Sequence, residues 1–221
     1  MIRLDHGAVV NERFEDIYKL AGEGFLLCGS TNGRGWVVNL DDNGEIVWEF
    51  LHNNGTLYSV IETEDGNALV GGAFDNGFSV MMISNAGEFM WRRSYTGGTC
   101  ASVVELKSGE FVLAGYTGIQ GYISMIEVDG DPIWGNNYGD VESRPRLYTM
   151  RETEGGIVTA GWAGGESGWA QKVDFQGRLI WSENMMQKME RLFNQWCRFQ
   201  NMASQLLEHQ ALSTIAGVCF H

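Results

Sequence analysis

The chain has 221 residues, of which 44% are hydrophobic and 19% charged, so it carries enough apolar material for a folded core and too much for global disorder. Its net charge of −13 argues against nucleic acid and anionic membranes as partners, since both are gripped through Lys and Arg. Four cysteines with no CxxC pair and four scattered histidines give no zinc-type spacing, and no apolar run is long enough to span a bilayer.

The first residues, Met1-Ile2-Arg3-Leu4-Asp5-His6, have no apolar signal core, so a cytoplasmic location is expected if this start is authentic; a missing upstream segment would make the protein extracytoplasmic. Residues 1–13 read as a lead-in. From there, 30 glycines against 2 prolines, with 12% aromatics, point to short strands joined by tight turns.

The first unit, 14–55, holds the apolar run Phe25-Leu26-Leu27-Cys28 closed by Gly29, then Gly35-Trp36 opening a run to Leu40, the turn Asp41-Asp42-Asn43-Gly44, and a last run ending at Trp48. The second, 56–98, repeats the order with Gly72, Gly77-Phe78, Gly87 and Trp91. The third, 99–140, has Gly115, Gly121-Tyr122, Gly130 and Trp134, and the fourth, 141–184, has Gly161, Gly168-Trp169, Gly177 and Trp181. Successive tryptophans lie 43, 43 and 47 residues apart, each four residues after its turn glycine. A period of this length with four short strands per unit predicts propeller blades.

A tryptophan at one fixed register serves as a wedge between neighbouring sheets. Burying an indole removes about 150–250 Å² from water, an upper bound of about 4–6 kcal/mol each. Trp48, Trp91, Trp134 and Trp181 are therefore read as structural. The aromatics after the second-strand turn, Trp36, Tyr122 and Trp169, are the candidates for a surface binding ring.

After Trp181 the pattern stops. Ser182 to Gln210 contains no glycine or proline, and Met185, Met189, Leu192, Trp196, Phe199, Ala203 and Leu206 step by four and three, which predicts an amphipathic helix in the tail 185–221 with Ser182 as N-cap. Its stripe is expected to cover an open sheet edge or to self-associate.

The motif Leu40-Asp41-Asp42-Asn43-Gly44-Glu45-Ile46-Val47-Trp48 resembles the tryptophan-docking repeat of quinoprotein-like (PQQ-type) β-propellers. The extension Trp134-Gly135-Asn136-Asn137-Tyr138-Gly139 resembles repeats of uncharacterised prokaryotic propeller proteins. The resemblance covers residues 14–184 and implies an all-β fold of four four-stranded blades. Four is the low end for a ring, so an open arc is favoured over a closed ring or a half-ring that dimerises. Quinoprotein dehydrogenases of this kind use a vicinal cysteine pair or a metal-binding acid set; neither is present, so no cofactor and no metal are expected.

No nucleophile elbow, P-loop or metalloprotease motif occurs. Asp41 to Glu45 is a hairpin turn lacking the other ligands of a calcium loop. Glu62, Glu64, Asp65, Glu152 and Glu154 are expected to form a solvated rim, and Cys28 and Cys100 fall in small or apolar slots of the core. Asn54-Gly55-Thr56 is a glycosylation sequon, relevant only in a secreted eukaryotic setting. The reading that follows is a non-enzymatic interaction or scaffold module with a protein partner; the alternatives are a ligand-binding or enzymatic propeller with its site at the central channel, or an incomplete piece of a longer propeller protein.

Overall fold

A computed structural model describes residues 11–75, 77–164, 167–185 and 188–189. The chain divides into two compact units, Met1–Ser182 and Glu183–His221. Among the described residues sixteen strands form four antiparallel sheets, each a simple meander. Sheet 1 is β1 (Glu12–Lys19), β2 (Phe25–Thr31), β3 (Arg34–Leu40) and β4 (Ile46–Leu51). Sheet 2 is β5 (Thr56–Glu62), β6 (Ala68–Phe74), β7 (Gly77–Ile83) and β8 (Phe89–Thr96). Sheet 3 is β9 (Thr99–Glu105), β10 (Phe111–Thr117), β11 (Gln120–Ile126) and β12 (Pro132–Tyr138). Sheet 4 is β13 (Arg146–Thr153), β14 (Gly156–Trp162), β15 (Gly168–Val173) and β16 (Leu179–Asn184). In the second unit Met185, Lys188 and Met189 are helical; the rest of the expected tail helix lies outside the described residues. Ser182 is not its N-cap: it belongs to β16, and its hydroxyl accepts a hydrogen bond from Trp169 Nε1 at 2.8 Å.

Three apolar layers fill the gaps between consecutive sheets. Leu26, Cys28 and Val37 meet Leu57 and Val60; Leu69, Val80 and Met82 meet Cys100 and Val103; Val112, Ala114 and Ile123 meet Leu147 and Met150. Sheets 2 and 3 lie between two layers, so their strands β6, β7 and β10 are buried on both sides and are largely apolar, with Ser79 a buried polar residue in β7.

Trp48, Trp91 and Trp134 act as wedges, whereas Trp181, expected to be structural like them, is 38% exposed. A Cβ on Gly87 would come within 2.9 Å of the Trp48 ring, one on Gly130 within 2.8 Å of Trp91, and one on Gly177 within 2.9 Å of Trp134. Each indole thus lies on the turn glycine of the next sheet. Trp48 Nε1 donates to the Asn85 carbonyl at 3.0 Å, and Trp134 Nε1 donates to the Phe175 carbonyl at 3.0 Å. Four residues on, Tyr95 and Tyr138 donate their hydroxyls to the carbonyls of Gly130 and Gly177.

The second glycine set answers to another feature. The first strand of every sheet carries a β-bulge, at Glu15, Tyr58, Ala101 and Tyr148. A Cβ on Gly29, Gly72, Gly115 or Gly161 would strike the carbonyl of Arg13, Thr56, Thr99 or Arg146 just before that bulge. Glycine is required there because the bulged strand swings its backbone into the space a side chain would fill.

The sheets form an open arc. Packing runs from sheet 1 to 2, 2 to 3 and 3 to 4, with nothing comparable between sheets 1 and 4 among the described residues. Leu57, Cys100 and Leu147, then Val60, Val103 and Met150, are buried where each sheet meets the one before it; their counterparts in sheet 1, Phe14 and Ile17, are 45% and 62% exposed.

Candidate functional site

The first strands of all four sheets converge on one axial cavity of about 480 Å³. The bulges determine what faces it. An extra residue re-aims the strand, so Glu15, Tyr58, Ala101 and Tyr148 all line the wall, and Ala101 leaves the room its larger counterparts would occupy. Arg151 stands at the position held by Tyr18, Ile61 and Val104 in the other sheets and is the one cation on this wall among the described residues.

Much of the polarity near the axis joins the sheets. Asp16 accepts from Val60 N at 3.0 Å and Ile17 N at 2.9 Å, and Ser59 accepts from Val103 N at 3.2 Å. Glu62 accepts from Ala21 N at 2.6 Å, Glu105 from Glu64 N at 2.7 Å, and Glu152 from Lys107 N at 3.3 Å. Glu62 and Glu152 are therefore staples between sheets and not a solvated rim. Sequence reasoning missed Glu105 as the third of this set, although its spacing of 43 and 47 residues from the other two is that of the tryptophans. Loss of hydration raises the Glu105 pKa, against the hydrogen bond from Glu64 N. Glu15 pairs with Arg13 at 2.8 Å.

The expected surface ring gives way. Trp36 is 3% exposed, stacked on Phe14 at 4.7 Å, with Nε1 donating to Glu49 at 3.2 Å. Trp169 is 5% exposed and packs over Gly121 of sheet 3. Tyr122 is half-buried, edge-on to Phe78 at 5.1 Å. Tyr122 and Trp169 point into the gap toward the preceding sheet, and Trp36, with no sheet before it, stacks on Phe14 of its own sheet, so the three do not form one exposed ring. In the second repeat the residue paired as Trp36, Tyr122 and Trp169 are paired is Ser79, opposite Gly72; Phe78 sits one register earlier, on the other face.

Cys28 and Cys100 are buried, and burial pushes both thiols upward, away from nucleophilic reactivity. Asp41 caps its own turn, accepting from Asn43 N at 2.9 Å and Glu45 N at 2.8 Å; the bond from Glu45 does most to hold its carboxyl below the usual range. Among the described residues no cluster of His, Cys, Asp or Glu is placed to hold a metal.

The two ends of the sheets differ. At one end the β3–β4 turns are alike: Asp41, Ser84, Glu127 and Asp174 each donate N–H to the carbonyl four residues on and accept from the N–H of Gly44, Gly87, Gly130 and Gly177. At the other end the connections 52–55, 97–98 and 139–145 differ in length, and Asn32, Asp75 and Arg144, the non-glycine residues with left-handed φ among the described residues, all lie there. Asp75 bridges His52 at 3.2 Å and Arg92 at 2.6 Å.

No family model and no curated protein matches the chain. Solved structures do. A Bacteroides caccae protein of unknown function is similar at 12% identity with a TM-score of 0.55, over 78% of this chain and 61% of that one. The Dos1 propeller is similar at 11% identity and 0.55, over 77% and 46%. Drosophila Plexin A, solved in complex with Semaphorin 1b, is similar at 11% and 0.51, over 77% and 41%. At such identities the likeness shows the fold: a propeller-type arc of four blades. The chain spans less than two thirds of the length of each of these structures.

Proposed function

We propose that this chain is a non-enzymatic β-propeller module that binds a protein partner through the face bearing the β2–β3 turns and the inter-sheet connections. The observation that carries this reading is the contrast between the two ends. The β3–β4 turns at one end repeat a single hydrogen-bond pattern, whereas the connections at the other vary in length and hold every non-glycine left-handed residue among the described residues. Strained, irregular loops on a rigid frame are where proteins place recognition. Exposed Ile119 and Val141 give that face apolar anchors. The seating of indoles on turn glycines supports kinship with the quinoprotein-like tryptophan-docking repeats, used here as a frame.

The test is interaction mapping by hydrogen exchange and binding titration with a captured partner. Ile119→Ser with Val141→Ser should weaken binding at least tenfold, while Glu88→Ala on the regular face leaves it unchanged. A partner released equally by both variants would refute the assignment of the face.

A further inference from the structure

We propose that the axial cavity binds a sugar ring that carries a carboxylate. The polar groups on the wall divide into those already engaged within the protein and those left open. Asp16 accepts two backbone N–H groups and Glu15 is held by Arg13, so the acids are satisfied within the protein. Arg151 has no carboxylate partner among the described residues; its guanidinium donates only to the carbonyl of its neighbour Met150, at 2.8 Å. Tyr18, Tyr58 and Tyr148 come from three different sheets, and none of their hydroxyls has a hydrogen-bond partner among the described residues. The wall therefore presents phenol rings, free phenol hydroxyls and one unpaired guanidinium around a space of about 480 Å³.

Flat aromatic faces suit the C–H face of a pyranose, phenols suit its hydroxyls, and a guanidinium suits a carboxylate as a two-pronged donor. A cavity of this size accommodates a mono- or disaccharide. An organic cation is disfavoured, because Arg151 opposes it and the nearby carboxylates are engaged. A neutral sugar leaves the guanidinium unanswered. The repeat itself does not require these residues: the positions of Arg151 and Tyr18 hold Ile61 and Val104 in the other sheets, and those of Tyr58 and Tyr148 hold Glu15 and Ala101.

The experiment is a titration of the full chain with glucuronate and, separately, with glucose, followed by NMR shift changes and calorimetry. Glucuronate should bind more tightly than glucose. Arg151→Gln, on the cavity wall and outside the apolar layers, should lower glucuronate affinity about tenfold with glucose binding unchanged, as loss of a charge-assisted contact would. Tyr58→Phe should keep most binding and Tyr58→Ala should lose it, with thermal melts confirming that each variant folds. Equal affinity for the two sugars, no binding of either, or binding indifferent to Arg151 and Tyr58 would each overturn the proposal. Because Ile119 and Val141 lie outside the cavity, their substitution leaves glucuronate binding intact, so this result stands apart from that of the partner-binding face.

Discussion

Sheet 1 and the three sheets after it are copies of one pattern placed in unlike surroundings. Leu57, Cys100 and Leu147 each have a sheet behind them, and Phe14 does not; Val60, Val103 and Met150 are likewise buried where Ile17 is open. Chemically similar residues at one repeat position thus contribute differently, because the stabilisation comes from the neighbouring sheet and not from the strand that carries the side chain. The far end of the arc shows the complement. Trp181 has no following sheet among the described residues and is 38% exposed, whereas Trp48, Trp91 and Trp134 lie against turn glycines. Sheet 4 also carries small or polar residues on its forward face: Ala170 and Lys172 stand where Val80 and Met82, or Ile123 and Met125, are buried in sheets 2 and 3.

The largest test of this contrast is a pair of tryptophan truncations. Trp134→Ala should cost about 3–5 kcal/mol in urea unfolding, as a wedge between two sheets, against about 1 kcal/mol for Trp181→Ala. Equal losses would mean that the indoles do not act through the next sheet. Next comes a pair on the first strands: Met150→Ala should cost about 2–4 kcal/mol and Ile17→Ala under about 1 kcal/mol in the same assay.

A smaller effect, of opposite sign, is expected within the third gap. The buried Gln171 side chain has neither its oxygen nor its nitrogen hydrogen-bonded, and neighbouring Thr159 has an unpartnered hydroxyl. Gln171→Leu should therefore stabilise the protein by about 1–2 kcal/mol, because an unanswered buried amide is lost and nothing paired is broken. A destabilised variant would show that the amide is satisfied by bound water.

The smallest effect is a pH dependence. The Asp41 carboxyl is held below its ordinary value, so its contribution is present above that value and lost as pH falls through the folded one. Glu105 has the opposite sign: with its pKa raised, its contribution is present below the unfolded value and lost as pH rises through the folded one. Melting temperatures of Asp41→Asn should fall less than wild type below about pH 4, and those of Glu105→Gln should fall less on going from pH 4 to pH 6. Unchanged profiles would remove both groups from the acid response.

The positions of the turns and wedges were legible in the sequence because they depend on local chemistry. A glycine at positive φ before a strand and an indole four residues later leave marks at fixed spacing whatever surrounds them. The face a residue occupies was less legible: Gly77-Phe78 matches Gly121-Tyr122 by eye, yet one residue of slip sends Phe78 to the opposite side of its sheet. The cavity wall was not legible, because Glu15, Tyr58, Ala101 and Tyr148 follow no repeat-wide residue pattern and are brought together by a bulge in each first strand.

By itself, then, the sequence determined the number of sheets, their strands and the residues that wedge them, since a periodic pattern must fold into periodic units. Only the tertiary structure decided that Glu62, Glu105 and Glu152 join neighbouring sheets, that Trp36 and Trp169 are buried, and that the four bulge residues share one cavity. Those outcomes depend on what lies across a gap from each residue, and a one-dimensional pattern does not record its neighbours in space.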